Sequence, residues 1–193
     1  MQNLLFDFIN KYVTLSDEEK EAMVALDIFR TVKKGTDLLK SGQSSNEGYF
    51  VLKGCLRTYY VIDGEEKTTA FYTEMEGITP NCVYTKKTSE YYVATTEDSV
   101  ISVSNPAMEA GMFERFPKFE TICRVIGEEL LVKQQINFDD FKTSSPEQRY
   151  LNLLENRPDL LQRVPQHQLA SFLGIKPQSL SRLKGRIHEK SKA

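Results

Sequence analysis

The spacing of apolar residues changes twice along the chain of 193 residues and divides it into three parts. Residues 1–26 have helical spacing, and Ser16 and Glu19 stand three positions apart, as in a capping box that begins a helix. In residues 29–103, short runs rich in Val, Tyr, Phe and Thr alternate with glycine turns, which predicts strands. A helix is predicted to begin at Asn105-Pro106, because Asn is a favoured N-cap and Pro is favoured at the first helical position.

The middle part contains the runs that we predict to be strands. They are residues 49–52, 55–61, 68–72, 91–94 and 100–103. Asp63-Gly64 separates two of these runs, and this dipeptide is a strong hairpin signal because Gly accepts the positive φ of a tight turn. Short strands at this spacing predict an antiparallel barrel or jelly roll.

A long helix is predicted from Pro117 to about Phe141, and its apolar residues form two stripes. The first stripe is Phe119, Ile122, Ile126 and Leu130, and the second is Val125, Val132 and Ile136. A helix of about 25 residues is ~37 Å long, which is longer than a small barrel needs to cover one face. We therefore expect one stripe to pack on the barrel and the other to pair with another copy of the chain in a homodimer. The alternative is a single helix that lies on its own sheet.

A small polar segment at residues 143–146 marks the boundary of a second domain, since Ser145 can cap a helix whose first residue is Pro146. The predicted organisation is a β-barrel domain at residues 1–116, a long dimerisation helix at 117–142 and a second domain at 143–193. The fold class is therefore α+β.

The segment from Gln166 to Arg186 carries the most specific motif. Two helices joined by a turn at residues 174–176 would direct one set of apolar residues into a common core, namely Leu169, Leu173, Ile175, Leu180 and Leu183. Ala170 is small enough for a helix crossing, Gly174 suits the left-handed position after a helix, and Pro177 suits the start of the next one. This spacing predicts a DNA-binding helix-turn-helix. The alternative is a generic pair of antiparallel helices.

The charge distribution supports a nucleic-acid partner for this segment. The net charge is −2, but residues 143–193 contain nine Lys or Arg and four acids, whereas the rest of the chain has an excess of acids. A basic segment on an acidic body is the electrostatic pattern of a domain that contacts phosphates, and the alternative is a solvated basic helix that binds nothing. The predicted contacts to double-stranded DNA are Lys176, Gln178, Ser179, Ser181, Arg182, Lys184 and Arg186.

Within this set we distinguish two roles. Gln178, Ser179 and Arg182 lie on one exposed face of the second helix, where Gln can pair with adenine and Arg with guanine. The remaining four are better placed for phosphates, which fix the register on DNA without reading its sequence.

Composition argues against an enzyme or a metal protein. Both histidines follow residue 166, and the three cysteines, Cys55, Cys82 and Cys123, are far apart. The chain therefore lacks the clustered ligands of zinc or non-haem iron sites, and it contains neither of the glycine-rich phosphate loops. We expect no cofactor, no membrane span and a reducing cytoplasmic location.

At this point the layout resembles the Crp/Fnr transcription regulators over residues 10–190. Residues 33–36 with Gly42, residues 49–54 and residues 97–100 resemble that family's double-stranded β-helix, and residues 166–186 resemble its winged helix-turn-helix. The resemblance implies a homodimer that binds palindromic DNA under the control of a small-molecule effector, with RNA polymerase as a candidate partner. Residues 157–164 are short and partly helical where the family has its wing, so we expect a reduced wing.

The family's cyclic-nucleotide cassette is degenerate in this chain. Gly77 and Ser89 match it, but Ile78 stands at the glutamate position and Thr88 at the arginine position. A cyclic phosphate without its Arg loses a charge-assisted partner, so we expect no tight binding of cyclic AMP. The candidate effector residues are Tyr72, Gly77, Thr85, Lys86, Lys87, Thr88 and Ser89.

Three functions are compatible with a barrel joined to a helical domain. We predict a dimeric, sequence-specific DNA-binding regulator. The alternative is a ligand-binding interaction module without specific DNA readout. A cupin-like barrel enzyme would need His ligands on its strands, and the first 166 residues contain no His.

Overall fold

The computed structural model describes residues 2–190, in which helices flank two antiparallel sheets. The helices are α1 (Gln2–Ile9), α2 (Asp17–Ala25), α3 (Cys82–Thr85), α4 (Pro106–Arg115), α5 (Lys118–Thr143), α6 (Pro146–Asn156), α7 (Leu160–Arg163), α8 (Gln166–Phe172) and α9 (Pro177–Lys190). The strands are β1 (Phe29–Val32), β2 (Asp37–Leu39), β3 (Gly48–Lys53), β4 (Leu56–Ile62), β5 (Glu65–Tyr72), β6 (Gly77–Ile78), β7 (Tyr92–Thr95) and β8 (Ser99–Ser104).

The N-terminal segment forms two helices where the apolar spacing predicts helix throughout residues 1–26. The predicted capping box at the start of α2 is confirmed: the Ser16 hydroxyl accepts a hydrogen bond from the Glu19 amide at 3.3 Å, and the Glu19 carboxylate accepts one from the Ser16 amide at 2.8 Å. Because Ser16 is an N-cap with extended backbone, the chain cannot continue as one helix through it.

Two four-stranded sheets with the orders β1-β8-β3-β6 and β2-β7-β4-β5 enclose the core of the N-terminal part. All five predicted strands are present. Sequence patterns did not predict β1, β2 and β6 as separate strands because runs of two to four residues are too short to show a period. The inward side chains of both sheets form one cluster around the fully buried Val51, Leu56, Val93 and Ile101.

The hairpin between β4 and β5 is confirmed. Asp63 and Gly64 both have positive φ, 52° and 77°, as a tight hairpin turn of this kind requires. Further along the same pair of strands, the register shifts by one residue: Thr58 faces Ala70, whereas Tyr59 faces Thr68. This bulge occurs in β5, which is the edge strand of its sheet.

The two apolar stripes of the long helix α5 differ in burial. Phe119 and Ile122 are buried against α1, where they join the cluster around Leu5 and Phe8. On the second stripe, Val132 is 57% exposed and Ile136 is 62% exposed. Pairing of this stripe with a second copy of the chain stays a prediction.

The C-terminal part, residues 146–190, is helical as far as the structure describes it. Ser145 caps α6 as predicted, since its hydroxyl accepts a hydrogen bond from the Gln148 amide at 3.2 Å. Between α6 and α8 the described residues form no strands, so the expected reduction of the wing and the partly helical character of this segment are confirmed. The short helix α7 occupies that place because Leu160 and Val164, four residues apart, are both buried in the domain core.

Of the described helices, none has the length and apolar character needed to cross a membrane.

Candidate nucleic-acid interface and effector region

The turn between α8 and α9 has the geometry that its sequence predicts. Gly174 has a φ of +71°, and the Ile175 amide donates to the Ala170 carbonyl at 3.0 Å, while the Gly174 amide donates to the Ser171 carbonyl at 3.0 Å. These two bonds form a Schellman motif, which ends α8 with its last carbonyls satisfied. Ala170 is completely buried at the base of the turn, so a larger side chain would have no space there.

Burial fixes the rotation of α9 about its axis. Leu180 and Leu183 are buried in the same cluster as Leu169 and Leu173 of α8, as predicted, and Ile175 packs partly against them. The opposite face of α9 is therefore turned to solvent. Of the predicted DNA contacts, these are exposed: Lys176, Gln178, Ser179, Ser181, Arg182 and Arg186. Lys184 is half-buried.

Two of these cations have acidic neighbours. Arg186 lies 3.5 Å from a carboxylate oxygen of Glu147. The hydrogen bond from Lys67 lowers the pKa of the Glu65 carboxyl, and the positive charge of Lys176 adds a smaller contribution in the same direction. Within residues 2–190, Arg182 and Lys184 form no ion pair, so both charges are available to a polyanion.

The first helix of the pair, α8, is bonded to the barrel. The Ser171 hydroxyl accepts a hydrogen bond from the Thr68 amide and donates one to the Glu66 carbonyl, both at 2.9 Å. Phe172 packs edge-to-face on Phe71 with ring centroids 5.3 Å apart. These contacts cover the edge of β5, and sequence patterns gave no signal for them because the partners are about 100 positions apart.

A second connection between the two parts of the molecule converges on Arg163. Its guanidinium forms a bidentate pair with Glu74 at 2.8 and 2.9 Å, a bond to Glu97 at 3.0 Å and one to the Gly54 carbonyl at 2.9 Å. The Glu74 carboxylate also accepts a bond from the Gly54 amide. The sequence showed Arg163 only as one of many basic residues.

The candidate effector residues do not gather around one cavity. Thr85, Lys86, Lys87 and Thr88 are exposed, and the Lys86 ammonium donates to the Val83 carbonyl at 2.7 Å. Ser89 is buried, and its hydroxyl donates to the Tyr91 carbonyl at 2.8 Å.

The other two candidates, Tyr72 and Gly77, line a cavity of about 750 Å³. Burial raises the pKa of Tyr72 to about 12. The walls of the cavity come mainly from β5, α5, α6 and α8, so it lies where the barrel, the long helix and the C-terminal domain meet.

Among the described residues, no group of three His, Cys, Asp or Glu side chains is arranged to hold a metal ion.

Comparison with known proteins gives matches in structure only. No protein-family model matches the sequence, and no curated protein does. The c-di-GMP responsive global regulator CLP of Xanthomonas campestris is similar with a TM-score of 0.69 and 16% identity, over 91% of this chain and 93% of CLP. FixK2 of Bradyrhizobium japonicum is similar with a TM-score of 0.67 and 11% identity, over 84% of this chain and 85% of FixK2.

A CooA mutant of Carboxydothermus hydrogenoformans is similar with a TM-score of 0.65 and 17% identity, over 86% of this chain and 79% of CooA. The chain has the fold of Crp/Fnr regulators. The predicted resemblance is thereby confirmed at the level of the fold.

Proposed function

We propose that this chain is a dimeric, sequence-specific transcription regulator that binds palindromic double-stranded DNA, and that it has no enzymatic activity. The observation that carries the proposal is the orientation of α9. Because Leu180 and Leu183 are buried, Gln178 and Arg182 are turned to solvent near the start of the helix. In a helix-turn-helix, this part of the second helix enters the major groove.

The fold and charge support the same function. The sheet orders support a jelly-roll sensor domain at residues 1–116, and the α8–α9 pair supports a helix-turn-helix within residues 143–193. Residues 191–193 of this domain lie outside the described residues. CLP, one of the similar solved structures, is a global regulator, which supports a regulatory role, and RNA polymerase stays a candidate partner.

A homodimer is part of the proposal because one α9 helix reads only a half-site. The exposed stripe of Val132 and Ile136 on α5, the helix at 117–142 in the predicted organisation, is the surface that would pair. A two-fold axis along α5 would present two copies of α9 to successive major grooves.

Among the candidate effector residues, Tyr72 and Gly77 have the stronger case because both line the cavity. A second candidate segment stays in the proposal: it consists of the exposed Thr85, Lys86, Lys87 and Thr88 and the buried Ser89.

The decisive experiment measures binding of the purified chain to random-sequence duplex DNA by fluorescence anisotropy at several salt concentrations, followed by selection from a random pool. We expect log K to fall linearly with log salt, with a slope of roughly −0.9 for each phosphate contacted. We expect the selected sequences to be palindromic. A salt-independent affinity, or a pool without enrichment, would favour the alternative of a ligand-binding module without DNA readout.

A further inference from the structure

The cavity at the junction of β5, α5, α6 and α8 has the size and lining of a small-molecule site. Its volume of about 750 Å³ falls within the range of roughly 300–1,000 Å³ that is usual for ligand sites. Three of its lining side chains are large, apolar and exposed: Ile136 at 62%, Phe138 at 61% and Phe141 at 45%. Binding of an apolar occupant that excludes water from this surface is favourable, because it lowers the free energy.

The cations of the cavity differ in how they are paired. Lys67 pairs with Glu65, Lys133 with Glu76, and Arg157 lies between Glu76 and Asp159. Arg149 is the exception in the part of the chain that the structure describes, since no carboxylate lies within ion-pair distance of it.

The bonds of Arg149 leave capacity for an anion. One terminal nitrogen donates to the Phe141 carbonyl at 2.8 Å, and the guanidinium lies 4.3 Å from the centroid of the Phe141 ring. Its Nε is buried without a hydrogen-bond partner among the described residues. A buried donor without an acceptor is costly, and a carboxylate is the acceptor that a guanidinium binds best. The Asp140 carboxylate also lines the cavity, but it accepts bonds from Ser144 and Asn152.

We propose that this cavity binds an amphipathic carboxylate, with the carboxylate on Arg149 and an apolar tail along Phe138 and Phe141. The site is separate from the exposed segment at residues 85–88, and neither Arg149 nor Phe138 is among the effector residues expected from the sequence.

The position of Arg149 connects this site to the α8–α9 turn. A Cβ atom built on Gly174 would lie 3.4 Å from the Phe141 ring and 3.5 Å from a terminal nitrogen of Arg149. An anion that draws the guanidinium toward the cavity therefore acts on the side chains directly beneath the turn that orients α9. This regulatory part of the proposal rests on the proposed DNA-binding function, whereas the binding part does not.

The binding test is calorimetry of the full chain with three probes. Decanoate carries both the charge and the tail, 1-decanol only the tail, and acetate only the charge. We expect decanoate to bind once per chain, and at least tenfold more tightly than either of the others. Equal affinities for decanoate and decanol, or no binding of decanoate, would overturn the proposal.

Variants locate the site. We expect Arg149→Met to weaken decanoate binding at least tenfold and to leave decanol binding within twofold. Phe138→Gln, at an exposed position, should weaken both at least tenfold, and it decides the matter if Arg149→Met does not fold. Arg124→Met, which removes an exposed cation of α5 that does not line the cavity, is the matched control and should leave both affinities unchanged. Decanoate binding unaffected by Arg149→Met and Phe138→Gln would show that the ligand binds elsewhere.

The regulatory part is measured as DNA affinity with and without saturating decanoate. We expect a change of at least threefold in the native chain and none in Phe138→Gln. If the chain binds no DNA under any condition, the proposed function is wrong. The calorimetric results then still decide whether the cavity binds an amphipathic carboxylate. If decanoate binds at this site but the DNA affinity stays constant, the regulatory part is wrong.

Discussion

The Ser171 hydroxyl of α8 accepts a hydrogen bond from the Thr68 amide of β5 at 2.9 Å, so the first helix of the candidate DNA-binding pair is bonded to the edge of the barrel. The bulge in β5 next to Thr68 interrupts the ladder to β4, and the Ser171 hydroxyl also bonds to the Glu66 carbonyl on the same strand. An edge strand normally presents unpaired backbone groups to solvent, and here a side chain of the other domain satisfies two of them.

Replacement of Ser171 by alanine should therefore destabilise the contact between the domains. The Thr68 amide would lose its partner in a partly buried place, which costs about 1–3 kcal/mol of the free energy of unfolding. Denaturant unfolding followed by circular dichroism measures this change. Ser181→Ala on the exposed face of α9 is the control, and we expect it to change the stability by less than about 0.5 kcal/mol. Equal effects of the two substitutions would contradict a structural role for the Ser171 bonds.

The Arg163 cluster should make stability depend on pH. Burial raises the pKa of Glu74, but hydrogen bonds from Arg163 and the Gly54 amide outweigh it, so the net pKa lies below its usual value. A carboxyl with a lowered pKa stabilises the folded state above its unfolded pKa of about 4.3, and this contribution disappears as the pH falls through the folded pKa. We expect Arg163→Gln to cost roughly 1–2 kcal/mol at pH 7, since the pair is partly exposed.

The same variant should lose less stability than the native chain when the pH is lowered from 7 to 3.5. Urea unfolding at both pH values measures the two differences. Arg124→Gln, which breaks an exposed pair with Glu128 on one helix, should lower stability by less than about 0.5 kcal/mol and leave the pH dependence unchanged. An Arg163→Gln variant with the full native pH dependence would exclude the Glu74 pair as its source.

Two glycines of the C-terminal domain should respond to alanine in opposite directions. At Gly174 the φ of +71° is unfavourable for any residue with a Cβ, so Gly174→Ala should destabilise by roughly 1–2 kcal/mol. At Gly185, inside α9, an added Cβ meets nothing within 4 Å, and Gly185→Ala should stabilise by up to about 1 kcal/mol. Thermal unfolding of both variants checks the signs, and a stabilising Gly174→Ala would contradict the Schellman turn.

How far the sequence predicts this structure depends on the distance over which each signal acts. Gly174 and Pro177 predicted the turn because each signal belongs to a single position. Glycine accepts the left-handed conformation, and proline lacks an N–H that the first residue of a helix does not need. The bonds from Ser171 to β5 and from Arg163 to Glu74 were not predicted, since they depend on how two domains meet. The cavity was predicted only through Tyr72 and Gly77, because its walls come from elements that are distant in sequence.

A charge in the exposed stripe of α5 should prevent dimerisation. Val132 is 57% exposed and lies on the stripe with Ile136, where a glutamate would meet its own symmetry mate across a two-fold axis. We expect Val132→Glu to sediment as a monomer at concentrations where the native chain is a dimer. Gln135→Glu adds the same charge to an exposed position on the same helix and is the matched control. A dimeric Val132→Glu chain would place the interface elsewhere.

The last prediction separates base readout from phosphate contact on α9. Arg182 is exposed on the face that would meet base edges, and its guanidinium can bind a guanine in a bidentate manner. Arg182→Ala should therefore cost about 1–3 kcal/mol on the selected operator and much less on random DNA, which relaxes base preference at one position. Lys184 is half-buried beside it, and Lys184→Ala should weaken all sequences alike and reduce the salt slope by about 1. Anisotropy titrations on the operator, on single-base variants and on random duplexes distinguish the two patterns. Equal losses for both variants on every duplex would mean that Arg182 does not read bases.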